Sequence, residues 1–474
     1  MMKTPLLLAL AAALQAQTYD VVIRNGRVMD PETKLDAIRN VGIRAGKIVA
    51  ISADPLEGKR AIDAKGLIVA PGFIDLHWHG TDPGSDRYEA LDGVTSSLEL
   101  EIGTADVDRW YKAREGKSMI NHGVAAGHPP VRMEVLHESG DFLPADKGAF
   151  GKATDEDITR MKMRLEQELK KGAVAVGFGI AYTQSASYWE ILEMFRIAAR
   201  YGASCHIHIR GGSSMAIGEN GPIQGISEVI AAAAITGASI HVVHINSSSG
   251  AAIGKTLQMI AEARAHGIDI TTEAYPYTAG ATRIESALFD DYADRKDVDF
   301  SKLQWVATGE RLTRETFLKY RKERGIVIMH SNTEDNVRKA VTSPLAMVAS
   351  DGFDITPNGH PRSAGTFTKV LRQYVRAEKA LTWMDALSKM TDQPAHRLER
   401  RVPAMKAKGR LQVGADADIA IFDPETVRDV ATFEKPAQAS MGMKFVLVGG
   451  TLVVDGGKTV DAAYPGKPIR AALH

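Results

Sequence analysis

Two histidines one residue apart close the run Gly72-Phe73-Ile74-Asp75-Leu76-His77-Trp78-His79. In an extended backbone, side chains at i and i+2 leave the same face, so both imidazoles can reach one ion. The apolar run Leu67-Ile68-Val69-Ala70 and the turn pair Pro71-Gly72 precede them, which puts the two histidines at the end of a buried strand. An isolated pair of this kind is as compatible with packing as with metal binding, so the downstream partners decide. Glu99 and Glu101 stand in the run LELE, His206 and His208 in CHIH, His241 and His244 in HVVH, and Asp351 after Ala349-Ser350. Five strand ends of this kind are hard to explain as packing, although His206 and His241 each read as structural. Imidazole and carboxylate donors suit Zn²⁺, with Mn²⁺, Fe²⁺ and Co²⁺ as alternatives. An ion held this way makes water acidic near neutral pH and polarises a carbonyl, while a nearby carboxylate moves the proton to a leaving nitrogen. Asp351 is the candidate for that shuttle.

Strand-like runs alternate with amphipathic helical ones through the middle of the chain, as in repeated βα units. Besides the histidine strand, the strand candidates are Val94–Glu101, Ile120–Ala126, Ala173–Ile180, Ser204–Ile209, Ser239–Ile245, Ile268–Tyr275, Ile326–His330 and Ala346–Asp351. Helices are expected over Asp155–Lys171, Tyr188–Tyr201, Ile226–Thr236 and Ala251–His266. That makes nine strands for eight barrel positions, and Ile326–His330 is assigned to an insertion. The charged segment 285–325 reads as a lid or as extra helices. Short strands with turn signals occupy both ends, from Tyr19 to Ile51 and again over Gly409–Phe422, Lys444–Val448 and Leu452–Val454. The expected architecture is α/β: a distorted (β/α)₈ TIM-like barrel over 69–400, beside a small composite β-sandwich built from 19–68 and 401–474. Catalytic groups in such barrels sit at the C-terminal ends of the strands.

Acidic and basic residues balance at 58 each in 474 residues, so no global field favours nucleic acid or an anionic membrane. The single cysteine, Cys205, excludes an intrachain disulfide framework and a cysteine-rich zinc cluster, whereas 14 histidines leave room for a histidine–carboxylate site. Residues 1–16 read as a signal peptide: Lys3 is followed by the apolar run Leu6–Leu14 and then Gln15-Ala16. The expectation is an exported, periplasmic protein with a small-molecule substrate and no membrane attachment after cleavage. A homo-oligomer is compatible with the sequence.

GFIDLHWH, His208, His244, Asp351 in VASDG and the closing GADAD run resemble the amidohydrolase superfamily. GVTSS at Gly93–Ser97, Gly127-His128, EAYPYTAG at Glu273–Gly280 and HPRSAGTF at His360–Phe367 are similar to the N-acyl-D-amino-acid deacylases, or D-aminoacylases. DVVIRNGRVMDPET, SLELE, TTEAYPY and LQWVATGERLTRE resemble the D-glutamate deacylase branch, and the likeness runs from about Tyr19 to Arg470. The resemblance implies metal-dependent hydrolysis of the N-acyl amide of an N-acyl-D-amino acid, with one or two zinc ions. It implies that His77 and His79 bind one ion, that His208 and His244 bind the other, and that Asp351 is the acid/base. Arg362 and Tyr275 are expected to hold the substrate carboxylate or the scissile carbonyl. For Arg362 a bidentate grip on a carboxylate is chemically natural.

Two departures from the family pattern bear on this. D-aminoacylases of the common type place a bridging cysteine after the second strand; this chain has Glu99 and Glu101 there, and Glu101 is the expected bridge, with Glu99 second. The fourth strand run ends without a lysine, so a carbamylated lysine is not expected as the bridge. Asn246 stands where the common type resembles H-x-K, which puts the usual carboxylate clamp in doubt. Arg210, just past His208, is a candidate for an acidic substrate side chain, with a structural salt bridge as the equal alternative. Tyr182 and His128 also fall at strand ends and complete the substrate-binding candidates. The competing reaction is hydrolysis of a cyclic amide (hydantoinase or dihydroorotase type) or of a dipeptide.

Overall fold

The structure, a computed structural model, describes residues 19–211 and 220–473; the expected signal segment 1–16 lies outside them. Eight parallel strands follow one another in sheet order: β1 (Phe73–Asp75), β2 (Val94–Thr104), β3 (Asn121–Gly127), β4 (Val176–Gly179), β5 (Cys205–His208), β6 (Ile240–Val242), β7 (Ile270–Ala274) and β8 (Ala346–Val348). Their side chains are almost all buried, as a parallel sheet covered on both faces requires. The seam between β1 and β8 is closed by other means. Trp78 bridges Gly352, the His79 N–H donates to the Gly352 carbonyl at 2.8 Å, and the Ser350 N–H donates to Asp75 Oδ1 at 3.0 Å.

The helices pack on the barrel through one stripe each. In Asp155–Lys170, Ile158, Met161, Leu165 and Leu169 recur at helical spacing and are buried, and a Thr154–Asp157 capping box fixes the start. Of the nine strand candidates, eight form the barrel. The ninth, Ile326–Met329, is the centre of a separate three-stranded antiparallel sheet between Gly280–Arg283 and Leu303–Trp305. Helix Arg314–Glu323 covers that sheet, with Tyr320 stacked on Trp305 at 4.6 Å. The charged segment is therefore a small lobe, and its strand Gly280–Arg283 contributes residues to the barrel mouth.

The two chain ends meet as expected, but as one hydrogen-bonded nine-stranded sheet rather than two separate ones. Ile419–Phe422 pairs antiparallel with Ile68–Pro71, which pairs parallel with Tyr19–Asp30. The Ile48 N–H also donates to the Ala415 carbonyl, so the sheet curls over its own core of Val21, Ile23, Val41, Ile48, Leu411 and Ile421. Within the barrel, the pairing of β2 with β3 slips between Glu99 and Thr104. Gly103 sits in this bulge at φ +70°, where a Cβ would lie 2.6 Å from the Ala125 carbonyl oxygen. Bulges re-aim side chains, and this one separates two glutamates that simple alternation would put side by side. Among the described residues no helix is long and apolar enough to cross a membrane.

Candidate metal centre

Strand ends deliver five side chains to one point at the barrel mouth. His77 and His79 follow β1, Glu101 lies in the β2 bulge, His208 ends β5 and His244 follows β6. Glu101 Oε2 stands 3.3 Å from His77 Nε2 and 3.2 Å from His79 Nε2. Its other oxygen stands 2.9 Å from His208 Nδ1 and 3.0 Å from His244 Nε2. One carboxylate thus faces two imidazole pairs, one oxygen to each. Burial opposes its ionisation, but His77, His208 and His244 outweigh that and hold the carboxyl well below its usual range. Asp351, after β8, places Oδ1 3.4 Å from His77 Nε2 and 3.5 Å from His79 Nε2. Three overlapping groups, His77–His79–Glu101, His77–His244–Asp351 and Glu101–His208–His244, each gather donor atoms within 4.8 Å, and all are buried. Nitrogen and carboxylate oxygen donors in this arrangement fit zinc or a similar divalent ion.

Most of these ligand candidates have an outer partner. His79 Nδ1 bonds Glu99, whose Oε1 accepts the N–H groups of Ile102 and Gly103. Glu99 is therefore a support for His79, and among the described residues no metal-capable group includes it. His244 Nδ1 meets Ser248 Oγ at 2.9 Å. His77 Nδ1 meets Glu273 Oε1 at 2.6 Å, and Glu273 Oε2 meets His241 Nε2 at 3.0 Å. His241 Nδ1 in turn meets Thr271 Oγ1 at 2.8 Å, and Thr271 Oγ1 accepts from Arg397 at 3.3 Å. This chain fixes the tautomers. The His77 proton sits on Nδ1, leaving Nε2 free for an ion, and His241 donates from Nε2. Two residues at the centre, His244 at φ +31° and Asp351 at φ +53°, occupy the left-handed region that costs a non-glycine residue about 1–2 kcal/mol. Such strain persists where the surroundings over-determine it.

Arg362 is fully buried, and its Nη1 stands 2.8 Å from Asp351 Oδ2. Burial opposes ionisation of Asp351, but the Arg362 guanidinium holds it below the usual range. The Arg362 guanidinium lies 4.7 Å over the Tyr275 ring, while Arg362 Nε, Tyr275 Oη and Asn246 Nδ2 are buried without a hydrogen-bond partner among the described residues. Tyr182 packs edge-on to His208 at 4.9 Å and bonds Thr282 Oγ1 at 3.1 Å. The structure does not bring the other two candidates to the centre. His128 opens helix His128–Val135, stacks on Phe178 and bonds Glu190 together with Arg132, in a buried cluster outside the mouth. Arg210 is held bidentately by Glu228 and donates to the carbonyls of Gln184 and Ala186, which is the salt-bridge reading. Both residues miss the centre for the same reason: a strand-end position does not fix the direction of a side chain on the following turn.

A cavity of about 20 Å³ lies over Glu101, His208, His244 and Asp351, and a larger one of about 320 Å³ opens beside His79. Phe142 and Phe353 line both. Arg283 lines the larger cavity, with its guanidinium 5.5 Å from the Phe142 ring and its Nε without an acceptor among the described residues. Sequence reasoning passed over Arg283, Glu273 and Phe142. Glu273 and Arg283 carried the weak signal of a charge next to a strand end.

A profile of the amidohydrolase family matches residues 60–122 and 133–454. The chain belongs to the amidohydrolase family. Within this family it is 31% identical to an N-acyl-D-glutamate deacylase of Alcaligenes xylosoxydans xylosoxydans, across 96% of this chain and 97% of that one. A D-aminoacylase of the same organism is 26% identical over 92% of this chain and 95% of the relative. Among solved structures, an N-acyl-D-glutamate deacylase from Bordetella bronchiseptica, complexed with zinc and a phosphonate mimic of the tetrahedral intermediate, aligns with TM-score 0.81. It shares 26% identity and covers 96% of this chain and 100% of that one. A D-hydantoinase, at 18% identity and TM-score 0.66, shares the fold.

Proposed function

We propose that this amidohydrolase cleaves the N-acyl amide of N-acyl-D-amino acids, giving a carboxylate and a free D-amino acid, with acidic side chains preferred. The observation that carries the reading is the Glu101 carboxylate between two imidazole pairs. His77, His79 and Glu101 would hold one zinc ion, and Glu101, His208 and His244 a second. A zinc ion there supplies Lewis acidity towards water and the scissile carbonyl. Asp351 accepts the proton of the attacking water and passes it to the departing nitrogen. Arg362 keeps that carboxyl ionised and aimed at the histidines. Tyr275 Oη and the Arg362 Nε–H, both lacking partners among the described residues, are the groups proposed to meet the substrate's oxygen atoms. With Asn246 where the common type has a lysine, this chain would rely on them more heavily. The named activities of its relatives favour this reading over the cyclic-amide one, for which the hydantoinase likeness supplies fold alone.

Preference for an acidic side chain rests on Arg283, an incompletely paired cation beside His79. A charged hydrogen bond of about 1.5–3 kcal/mol corresponds to roughly a 10–150-fold preference. The test compares N-acetyl-D-glutamate, N-acetyl-D-leucine and their L forms, with and without a chelator, in wild type and Arg283→Met. Turnover confined to L substrates, or untouched by the chelator, rejects the reaction. An unchanged D-glutamate preference in Arg283→Met rejects the role of that residue. We also propose that the reaction takes place in the periplasm, on the composition of residues 1–16; fractionation of cells expressing the full chain tests this.

A further inference from the structure

At the end of the barrel away from the histidines, a cleft of about 420 Å³ opens at the N-terminal ends of β5 to β8, where Ser204, Ser239, Asp269 and Leu345 adjoin the strand starts. It is larger than either cavity at the mouth. Three guanidiniums line it, Arg264, Arg397 and Arg400, against one carboxylate, Asp269. The chain as a whole carries no net charge, so this concentration is local and not a by-product of a basic surface.

The pairing within the cleft leaves positive charge over. Asp269 spends both oxygens on Arg397, at 2.7 and 3.0 Å, and also accepts the Ser239 hydroxyl. The Arg397 side chain is 5% exposed, and its Nε–H still lacks an acceptor among the described residues. A buried donor left unmade costs more than an exposed one, so a partner for this guanidinium is worth more here than on the surface. Among the described residues, the exposed Arg264 and Arg400 side chains make no ion pair or hydrogen bond. Two unpaired forks beside a third that is buried and incompletely bonded form a receptor for planar or tetrahedral oxygen groups. The volume suits a small molecule.

We propose that this basal cleft is a binding site for a small oxyanion, a carboxylate or phosphate group, separate from the metal centre. The test titrates inorganic phosphate, and separately glutarate, into zinc-loaded wild type and the Arg264→Ala/Arg400→Ala double variant by calorimetry. Both substituted residues are exposed, and the double variant is expected to fold and to keep its deacylase activity. Anions that reach the metal centre bind both proteins alike, so the difference isolates the cleft. The expected result is saturable binding of at least one of the two anions to wild type, weakened at least tenfold in the double variant. Whichever anion shows the difference identifies the source of the oxygen group. Equal affinity in the two proteins, or no saturable binding of either anion to wild type, overturns the proposal. Absence of deacylase activity on N-acetyl-D-glutamate in wild type would instead count against the reaction proposed above and leaves this test readable.

Discussion

Glu273→Gln is the most informative single change at the metal centre, because it keeps shape and removes charge. In the wild type, Glu273 accepts from His77 Nδ1 at 2.6 Å and from His241 Nε2 at 3.0 Å, and is 1% exposed. Burial opposes its ionisation, but the bonds from His77 and His241 hold the carboxyl far below its usual range. A bond to a charged acceptor is worth about 1.5–3 kcal/mol, against about 0.5–1.5 for a neutral one. Replacing the carboxylate with an amide therefore removes about 1–2 kcal/mol from the support of His77, or roughly 5–30-fold in affinity for an ion on its Nε2. The amide NH₂ must also face one of the two histidines, so either His241 changes tautomer or a bond is lost. Zinc affinity measured by competition with a chromophoric chelator, together with metal content after dialysis, reads the effect without reference to turnover. Affinity within twofold of wild type, in a variant with unchanged thermal unfolding, would refute the support role assigned to Glu273.

Asp351→Asn should lower kcat on N-acetyl-D-glutamate by roughly 10²–10⁴-fold, the usual worth of a positioned acid/base, with zinc content kept; parallel loss of zinc would make Asp351 a ligand first. Asp86 gives a pH prediction away from the metal centre. Burial raises its carboxyl from 3.8 to about 7, partly offset by the Met119 N–H. The folded state then binds more protons than the unfolded state between those values, so this group's contribution to stability falls as pH rises from about 4 to 7 and is flat above. Asp86→Asn lacks this titration, and its stability relative to wild type should rise across that window, by at most about 1.4 kcal/mol for each pH unit crossed. Urea unfolding at pH 5 and pH 8 measures it, and a difference independent of pH rejects the assignment.

The barrel was legible because its strands are buried on both faces and read as apolar runs of strand length. The ninth candidate, Ile326–Met329, has the same composition and differs only in its partners, which lie in the lobe. The histidine pair after β1 was legible from alternation alone. Glu101 emerged from an absence, the missing cysteine, and its separation from Glu99 was not readable, because the β2 bulge that parts them depends on how Gly103 meets the Ala125 carbonyl. Glu273 was visible only as part of a family-like string. Its partner His77 is 196 residues away, and no local pattern records a contact at that range. Arg362 also stands on Asp351, through Nη1, a contact that its position in the sequence does not record.

The seam of the barrel explains why the centre is assembled from its two ends. β1 and β8 share no ladder; Asp75 joins them, accepting from the N–H groups of His77 and Ser350 and from the Ser350 hydroxyl. His77 begins the ligand set two residues after Asp75, and Asp351 follows Ser350 directly. The side chain that closes the barrel therefore also sets the distance between the first metal-facing imidazole and the carboxylate proposed to move the proton. Burial raises the Asp75 carboxyl to about 6, with its hydrogen bonds opposing, so ionising it costs stability as pH rises from about 4 to 6. A ladder of backbone bonds would close the barrel without that cost, but its even spacing would leave Asp351 in extended geometry. The polar seam instead lets the chain turn at φ +53°, which brings Oδ1 within 3.4 and 3.5 Å of the two imidazoles.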